Sequence, residues 1–140
     1  MSTMTTGTVY LVGAGPGDPE LVTVKARRLL DSADVVLHDS LVGDGVVDTI
    51  PDDVRVENVG KRANGDRTPQ AEINDRLIRE AKAGREVVRL KGGDPTIFAR
   101  GGEEAEHLAR HNVPFEVVPG ITSAVAAPGV AGIPATHRDH

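Results

Sequence analysis

Short apolar runs and longer amphipathic stretches alternate along the chain. Residues 8–12 (Thr-Val-Tyr-Leu-Val) form a nearly continuous β-prone run, the pattern of a strand buried on both faces. Glycines and prolines at 13–19 break it. Residues 21–30 then place Leu21, Val24, Leu29 and Leu30 at helical spacing, predicting an amphipathic helix. A second strand at 35–37 ends at His38 and Asp39, and 41–50 predicts a short helix. After the Pro51-Asp52-Asp53 turn, 54–59 alternates as a third strand. Residues 60–69 are polar and read as a loop. Residues 70–83 predict a helix with Ile73, Leu77, Ile78 and Ala81 facing inward, stopped by Gly84. A fourth strand at 86–90, a helix at about 101–111, a fifth strand at 115–118 and a small-residue helix at 121–127 complete the pattern. Repeated β–loop–α units predict an α/β fold, a three-layer α/β/α arrangement around a mostly parallel five-stranded sheet. Residues 1–6 read as a flexible tail, 7–132 as one α/β domain, and 133–140 as a linker.

Composition narrows the function. A chain of 140 residues with a net charge of −5 does not suit a partner bound mainly through phosphates. Its three aromatics, Tyr10, Phe98 and Phe115, give no base-stacking platform. Nucleic acid is therefore not expected as a partner. The absence of cysteine excludes disulfides, thiolate metal sites and cysteine nucleophiles, and fits the cytoplasm. No apolar run approaches the ~18 residues a membrane span needs, and residues 1–7 lack the basic start and apolar stretch of a signal peptide. His107 and His111 are spaced i, i+4, but no third ligand lies nearby. They read as solvated helix surface, and no metal is expected.

Ligands of parallel α/β sheets bind at the carboxyl ends of the strands, and the glycines cluster there. Gly13-Ala-Gly-Pro-Gly-Asp-Pro19 departs from the dinucleotide fingerprint, because Asp18 stands where that pattern has glycine and Pro16 lacks an N–H donor. It reads either as a tight turn or as a close backbone approach to a neutral or cationic ligand. In 89–104, Gly92, Gly93 and Asp94 expose backbone groups and a carboxylate that can accept from a ligand hydroxyl or ammonium. Asp39 is either an acid/base group or the N-cap of the next helix. Lys61 and Arg62 suit a carboxylate or phosphate, or form solvated surface charge. Thr122 and Ser123 read as N-caps, ligand contacts or both.

Together, residues 13–26, His-Asp-Ser-Leu-Val (38–42), Val-Gly-Lys-Arg (59–62), Lys-Gly-Gly-Asp-Pro-Thr-Ile-Phe-Ala-Arg-Gly-Gly-Glu-Glu (91–104) and Pro-Gly-Ile-Thr-Ser-Ala (119–124) resemble the tetrapyrrole methylase family over about residues 8–140. The segments at 59–62 and 100–104 are most similar to the branch that C-methylates uroporphyrinogen III. The resemblance implies S-adenosylmethionine as methyl donor, contacted at Pro16, Gly92, Gly93, Asp94, Ile97, Thr122 and Ser123. It implies Asp39 as proton acceptor and Lys61 as proton donor. A polycarboxylate substrate calls for local cations, and the candidates are Arg62 and Arg100, with Lys61 and Arg67. His38, Ser40 and Thr96 depart from the family, which usually has Tyr, Arg and Phe there. The family has two domains and typically dimerises. The resemblance thus implies that 133–140 opens a second domain, that the full-length protein is a homodimer, and that the 140-residue chain is inactive alone. Two other readings stay open: a nicotinamide-binding oxidoreductase domain and a non-catalytic half-domain.

Overall fold

The computed structural model describes residues 5–140, so most of the predicted tail at 1–6 lies outside the described residues. Five strands form one sheet: β1 (Val9–Gly13), β2 (Val35–His38), β3 (Arg55–Asn58), β4 (Val87–Lys91) and β5 (Phe115–Val118). Their order is β3-β2-β4-β1-β5, and every pairing is parallel. Five helices intervene or follow: α1 (Val24–Ser32), α2 (Asp44–Val47), α3 (Gln70–Lys82), α4 (Gly101–Arg110) and α5 (Ser123–Val130). The three-layer α/β architecture is the one the alternating pattern predicts. No helix among the described residues is long and apolar enough to cross a membrane.

The two-residue repeat of the strands sorts side chains into two cores. Val12, Val36, Val88 and Leu90 pack with Ala26 and Leu30 of α1 and Val46 of α2. Val9, Leu11, Val35, Leu37 and Val87 pack with Ile73 and Leu77 of α3 and Leu108 of α4. Central β4 is buried at all five positions, whereas edge strand β3 is not. On the α3/α4 side of β4, Val87 is followed by Arg89 and Lys91. The same face therefore turns from apolar to cationic toward the carboxyl end of the sheet.

Three elements differ from the pattern. Helix α1 starts at Val24, because the Thr23 hydroxyl caps it by accepting from the Ala26 N–H at 3.1 Å. Before it, Pro19–Leu21 is a 3₁₀ turn capped by Asp18, whose carboxylate accepts from the Glu20 N–H at 2.8 Å. Val24, expected to face inward, is therefore 88% exposed. The helix expected at 41–50 shortens to Asp44–Val47, with Gly43 as its N-cap. The last helix runs to Val130 and buries none of its residues.

Candidate functional site

The strand ends meet through glycine. A Cβ added to Gly13 would lie 2.4 Å from the Gly93 carbonyl oxygen, and one on Gly120 would lie 2.3 Å from it. No side chain fits there, so the loops after β1, β4 and β5 cross in contact. Gly15 and Gly93 then exchange two backbone hydrogen bonds, Gly15 N–H to Gly93 O at 3.1 Å and Gly93 N–H to Gly15 O at 2.8 Å. Gly93 takes a φ of +62°, which glycine adopts without penalty. The glycine clusters thus serve loop-to-loop approach first, a reason that spacing alone does not reveal.

Asp94 ties the same loops together. Its Oδ1 accepts from the Thr96 N–H at 2.9 Å and the Thr96 hydroxyl at 2.6 Å, and its Oδ2 accepts from the Gly120 N–H at 3.1 Å. Partial burial opposes its ionisation, but the bonds from Thr96 and Gly120 outweigh this and hold its carboxyl below the usual range. A carboxyl with a lowered folded-state pKa contributes stability above its unfolded pKa of ~3.9. That contribution is lost as the pH falls through the lower folded value. The gap in melting temperature between the parent and Asp94→Asn should therefore be full at neutral pH and narrow below about pH 4. A pH-independent gap would show that the carboxylate charge is not what clasps the loops.

These loops open on one cleft of about 1250 Å³ at the carboxyl edge of the sheet. Pro16, Gly92, Gly93, Ile97, Thr122 and Ser123 line it, as do Asp39, Lys61 and Arg100. Two expected site residues do not. Asp94 is instead the clasp just described. Arg62 turns away onto Glu72, with Nη2 to Oε2 at 2.8 Å. The hairpin that carries it closes through Arg62 N–H to Asp66 O at 2.7 Å and a backbone bridge between Lys61 and Arg67. Arg67 also lines the cleft. Among the described residues, Lys61, Arg67 and Arg100 have no carboxylate within ion-pair distance. Arg100 sits at the N-terminus of α4 with a left-handed φ of +55°. Leu41 and Phe98 also line the cleft, and their side chains are fully open to solvent.

Asp39 is not a helix cap. It follows β2 and receives the buried guanidinium of Arg89, whose Nη2 lies 2.6 Å from Oδ1. Arg89 also donates through Nε to Glu104 at 2.8 Å and through Nη1 to the Leu37 carbonyl at 3.3 Å. Burial works against its charge, but the Glu104 and Asp39 carboxylates outweigh this and raise its pKa further, so it stays protonated. Lys91 donates to the other Glu104 oxygen at 2.6 Å and stands 3.8 Å from Asp39 Oδ2. Sequence reasoning missed Arg89, Lys91 and Glu104 as site residues. A signal existed: two cations at i and i+2 in an apolar central strand, and a carboxylate on the Gly101, Glu104, Leu108 inward stripe of α4.

Thr122 is the N-cap of α5 in backbone geometry but makes no side-chain capping bond. Its hydroxyl and that of Ser123 stay available to a ligand. His107, expected as solvated surface, is largely packed: its Nε2 is buried 3.6 Å from Asp75 and its ring lies 4.4 Å from that of His111. Among the described residues no group of three or more His, Cys, Asp or Glu could hold a metal ion.

The similarities to known proteins agree with this geometry. The chain is 59% identical over 133 residues to the S-adenosyl-L-methionine-dependent uroporphyrinogen III methyltransferase of Methanosarcina barkeri, covering 95% of this chain and 52% of that protein. It is 59% identical over 134 residues to a siroheme synthase of Neisseria meningitidis, covering 96% of this chain and 28% of that protein. The crystal structure of uroporphyrin-III-C-methyltransferase from Thermus thermophilus superposes with a TM-score of 0.84 at 54% identity, covering 94% of this chain and 55% of that one. The same enzyme complexed with S-adenosyl homocysteine gives 0.81 at 55% identity, covering 94% and 54%. The chain thus spans about half the length, or less, of these relatives. Residues 8–140 match the family described as Tetrapyrrole (Corrin/Porphyrin) Methylases. Glycine-crossed loops, a cleft at the strand ends and similarity over nearly the whole chain agree, and the chain belongs to the tetrapyrrole methylase family.

Proposed function

We propose that this chain supplies the N-terminal half of an active site that C-methylates uroporphyrinogen III, with S-adenosylmethionine as methyl donor, on the way to sirohaem or corrins. The observation that carries the reading is one cleft that combines a neutral backbone wall with three cations, Lys61, Arg67 and Arg100, that have no acidic partner among the described residues. When bound, S-adenosylmethionine supplies an electrophilic methyl on a sulfonium and leaves as S-adenosylhomocysteine.

The residues present fit that donor. The nearest atom to a Cβ built on Gly92 is the Leu41 carbonyl oxygen at 3.8 Å, so the bare glycine leaves open space against the wall. Gly92, Gly93, Thr122 and Ser123 put no basic side chain there to repel a sulfonium, and Pro16 and Ile97 add apolar surface. Asp94 ties the loops of this wall together through Thr96 and Gly120. Lys61, Arg67 and Arg100 draw in the polycarboxylate, and arginine holds carboxylates in bidentate fashion. Arg62 braces the hairpin through Glu72.

A substrate ring carbon that took up this methyl would leave the ring cationic. Restoring neutrality requires loss of a proton. Among the described residues Asp39 Oδ2 accepts no hydrogen bond, with the Lys91 ammonium 3.8 Å away, and it belongs to a cleft residue, so we assign it as acceptor. Lys61 is the proposed donor of a proton that the ring would take up at one position and give back at another as its double bonds shift, so that the net change stays one methyl gained and one proton lost. Held geometry supplies much of the acceleration in such a displacement. Two of the relatives are about twice as long, which supports a further domain, and we propose that 133–140 leads toward it. We also propose a full-length homodimer that works in the cytoplasm. We expect the 140-residue chain alone to be inactive.

Transfer of labelled methyl from S-adenosylmethionine to uroporphyrinogen III by the protein as its gene encodes it tests the reading. Asp39→Asn should lower kcat by about 10²–10⁴-fold, the range typical of general acid–base groups. Failure of the parent protein to transfer methyl would overturn the proposal, and turnover by the isolated 140 residues would overturn their expected inactivity. The 36% identity to a cobalt precorrin-4 methyltransferase structure makes a corrin substrate the second reading, tested in the same assay.

A further inference from the structure

Three buried ionisable side chains have no part in the reaction as written: Arg89, Lys91 and Glu104 are 1%, 2% and 0% exposed. Stability does not explain them, because replacing a buried ion cluster by well-packed apolar residues is often neutral or favourable. Their arrangement does. Glu104 uses both carboxylate oxygens on cations, Oε2 on Arg89 and Oε1 on Lys91. The two cations then address separate oxygens of Asp39, Arg89 on Oδ1 at 2.6 Å and Lys91 on Oδ2 at 3.8 Å. Asp39 is the most exposed member, with its side chain 30% accessible. It stands on the loop after β2, next to the exposed Ser40 and Leu41, and among the described residues its side chain accepts one hydrogen bond, from Arg89. Lys91 also keeps spare donors: an ammonium has three, and among the described residues one makes a hydrogen bond.

We propose that Glu104, Arg89 and Lys91 are positioning residues for Asp39. Glu104 clamps the two cations from α4, and they hold the Asp39 carboxylate at a fixed angle with Oδ2 toward the cleft. The proposal rests on the methyl-transfer reading, in which Asp39 takes the proton.

The test uses the protein as its gene encodes it, with Lys91→Met, Lys91→Arg, Glu104→Gln, Asp39→Asn and the Lys91→Met/Asp39→Asn pair. Lys91→Met should lower kcat about 10–100-fold, the usual effect of losing a group that orients a reactive one, with KM changed less than about threefold. Lys91→Arg should restore most of the rate. In the Asp39→Asn background Lys91→Met should add less than about twofold, because residues that act as a unit are not additive. Independently of turnover, the carboxyl ¹³C resonance of Asp39 should move in Lys91→Met and in Glu104→Gln, while that of the exposed Asp52 stays. Additive losses, or an unmoved Asp39 resonance in folded variants, would overturn the proposal. A parent protein that does not methylate uroporphyrinogen III would sink the methyl-transfer reading instead, and the Asp39 resonance would still decide the positioning role.

Discussion

Replacing Glu104 by glutamine should destabilise the protein by about 3–5 kcal/mol, the usual penalty for removing one partner from a buried ion pair. The residue is fully buried, and its two oxygens accept from Arg89 and Lys91. Glutamine keeps the shape but leaves two buried cations facing the single carboxylate of Asp39. Its amide also presents a donor where an acceptor is needed. Chemical denaturation should show a lower midpoint with an unchanged m-value, because the folded state exposes no more surface. A companion variant separates charge from packing. Arg89→Met, Lys91→Met and Glu104→Leu together remove all three ions, and such exchanges are often neutral or stabilising. The triple variant should be more stable than Glu104→Gln. If it is equally unstable, the loss comes from packing around α4 rather than from uncompensated charge.

This cluster also marks where sequence reading stops. The strands were legible because a central parallel strand has no polar face to keep, so its apolar run is unbroken apart from Arg89 and Lys91. The pattern places Arg89 in the strand at 86–90 and Arg89, Lys91 and Glu104 in the motif at 89–104, since nothing local shows that Glu104 returns from α4 to the same face of β4. Asp39 was visible as a polar residue at a strand end, but its two roles could be separated only by seeing Arg89 reach it and helix α2 begin later, at Asp44. The start of α1 was misplaced because hydrophobic spacing ran past the Thr23 cap into the 3₁₀ turn. Arg62 and Lys61 are neighbours of like charge, and only the hairpin sends one to Glu72 and the other to the cleft. The glycines were legible as a site, whereas their contact with one another was not. Their first partner is another loop, and the ligand wall is what that contact leaves behind.

The glycine crossing gives the second large effect. Gly120→Ala should lower stability by about 1–3 kcal/mol, the usual range for overpacking, and should weaken S-adenosylhomocysteine binding more than stability alone explains. The added methyl would meet the Gly93 oxygen at 2.3 Å and the Gly13 Cα at 2.8 Å. All these neighbours are backbone, so no side chain can swing aside and the loops must separate. Separation stretches the Asp94 to Gly120 bond and pulls on the Gly15–Gly93 bridge, and both set the wall on which Gly92, Thr122 and Ser123 stand. Gly102→Ala is the matched control. That glycine lies in α4 with nothing within 4 Å of the added Cβ. Alanine is the better helix former there, so stability should rise by up to about 1 kcal/mol with binding unchanged. Calorimetric titration of S-adenosylhomocysteine into both variants of the gene-encoded protein, beside their denaturation curves, decides between the alternatives. If Gly120→Ala binds like the parent, the crossing of the three loops does not shape the cofactor wall. If only its affinity falls and its stability holds, the loops yield more easily than their backbone contacts imply.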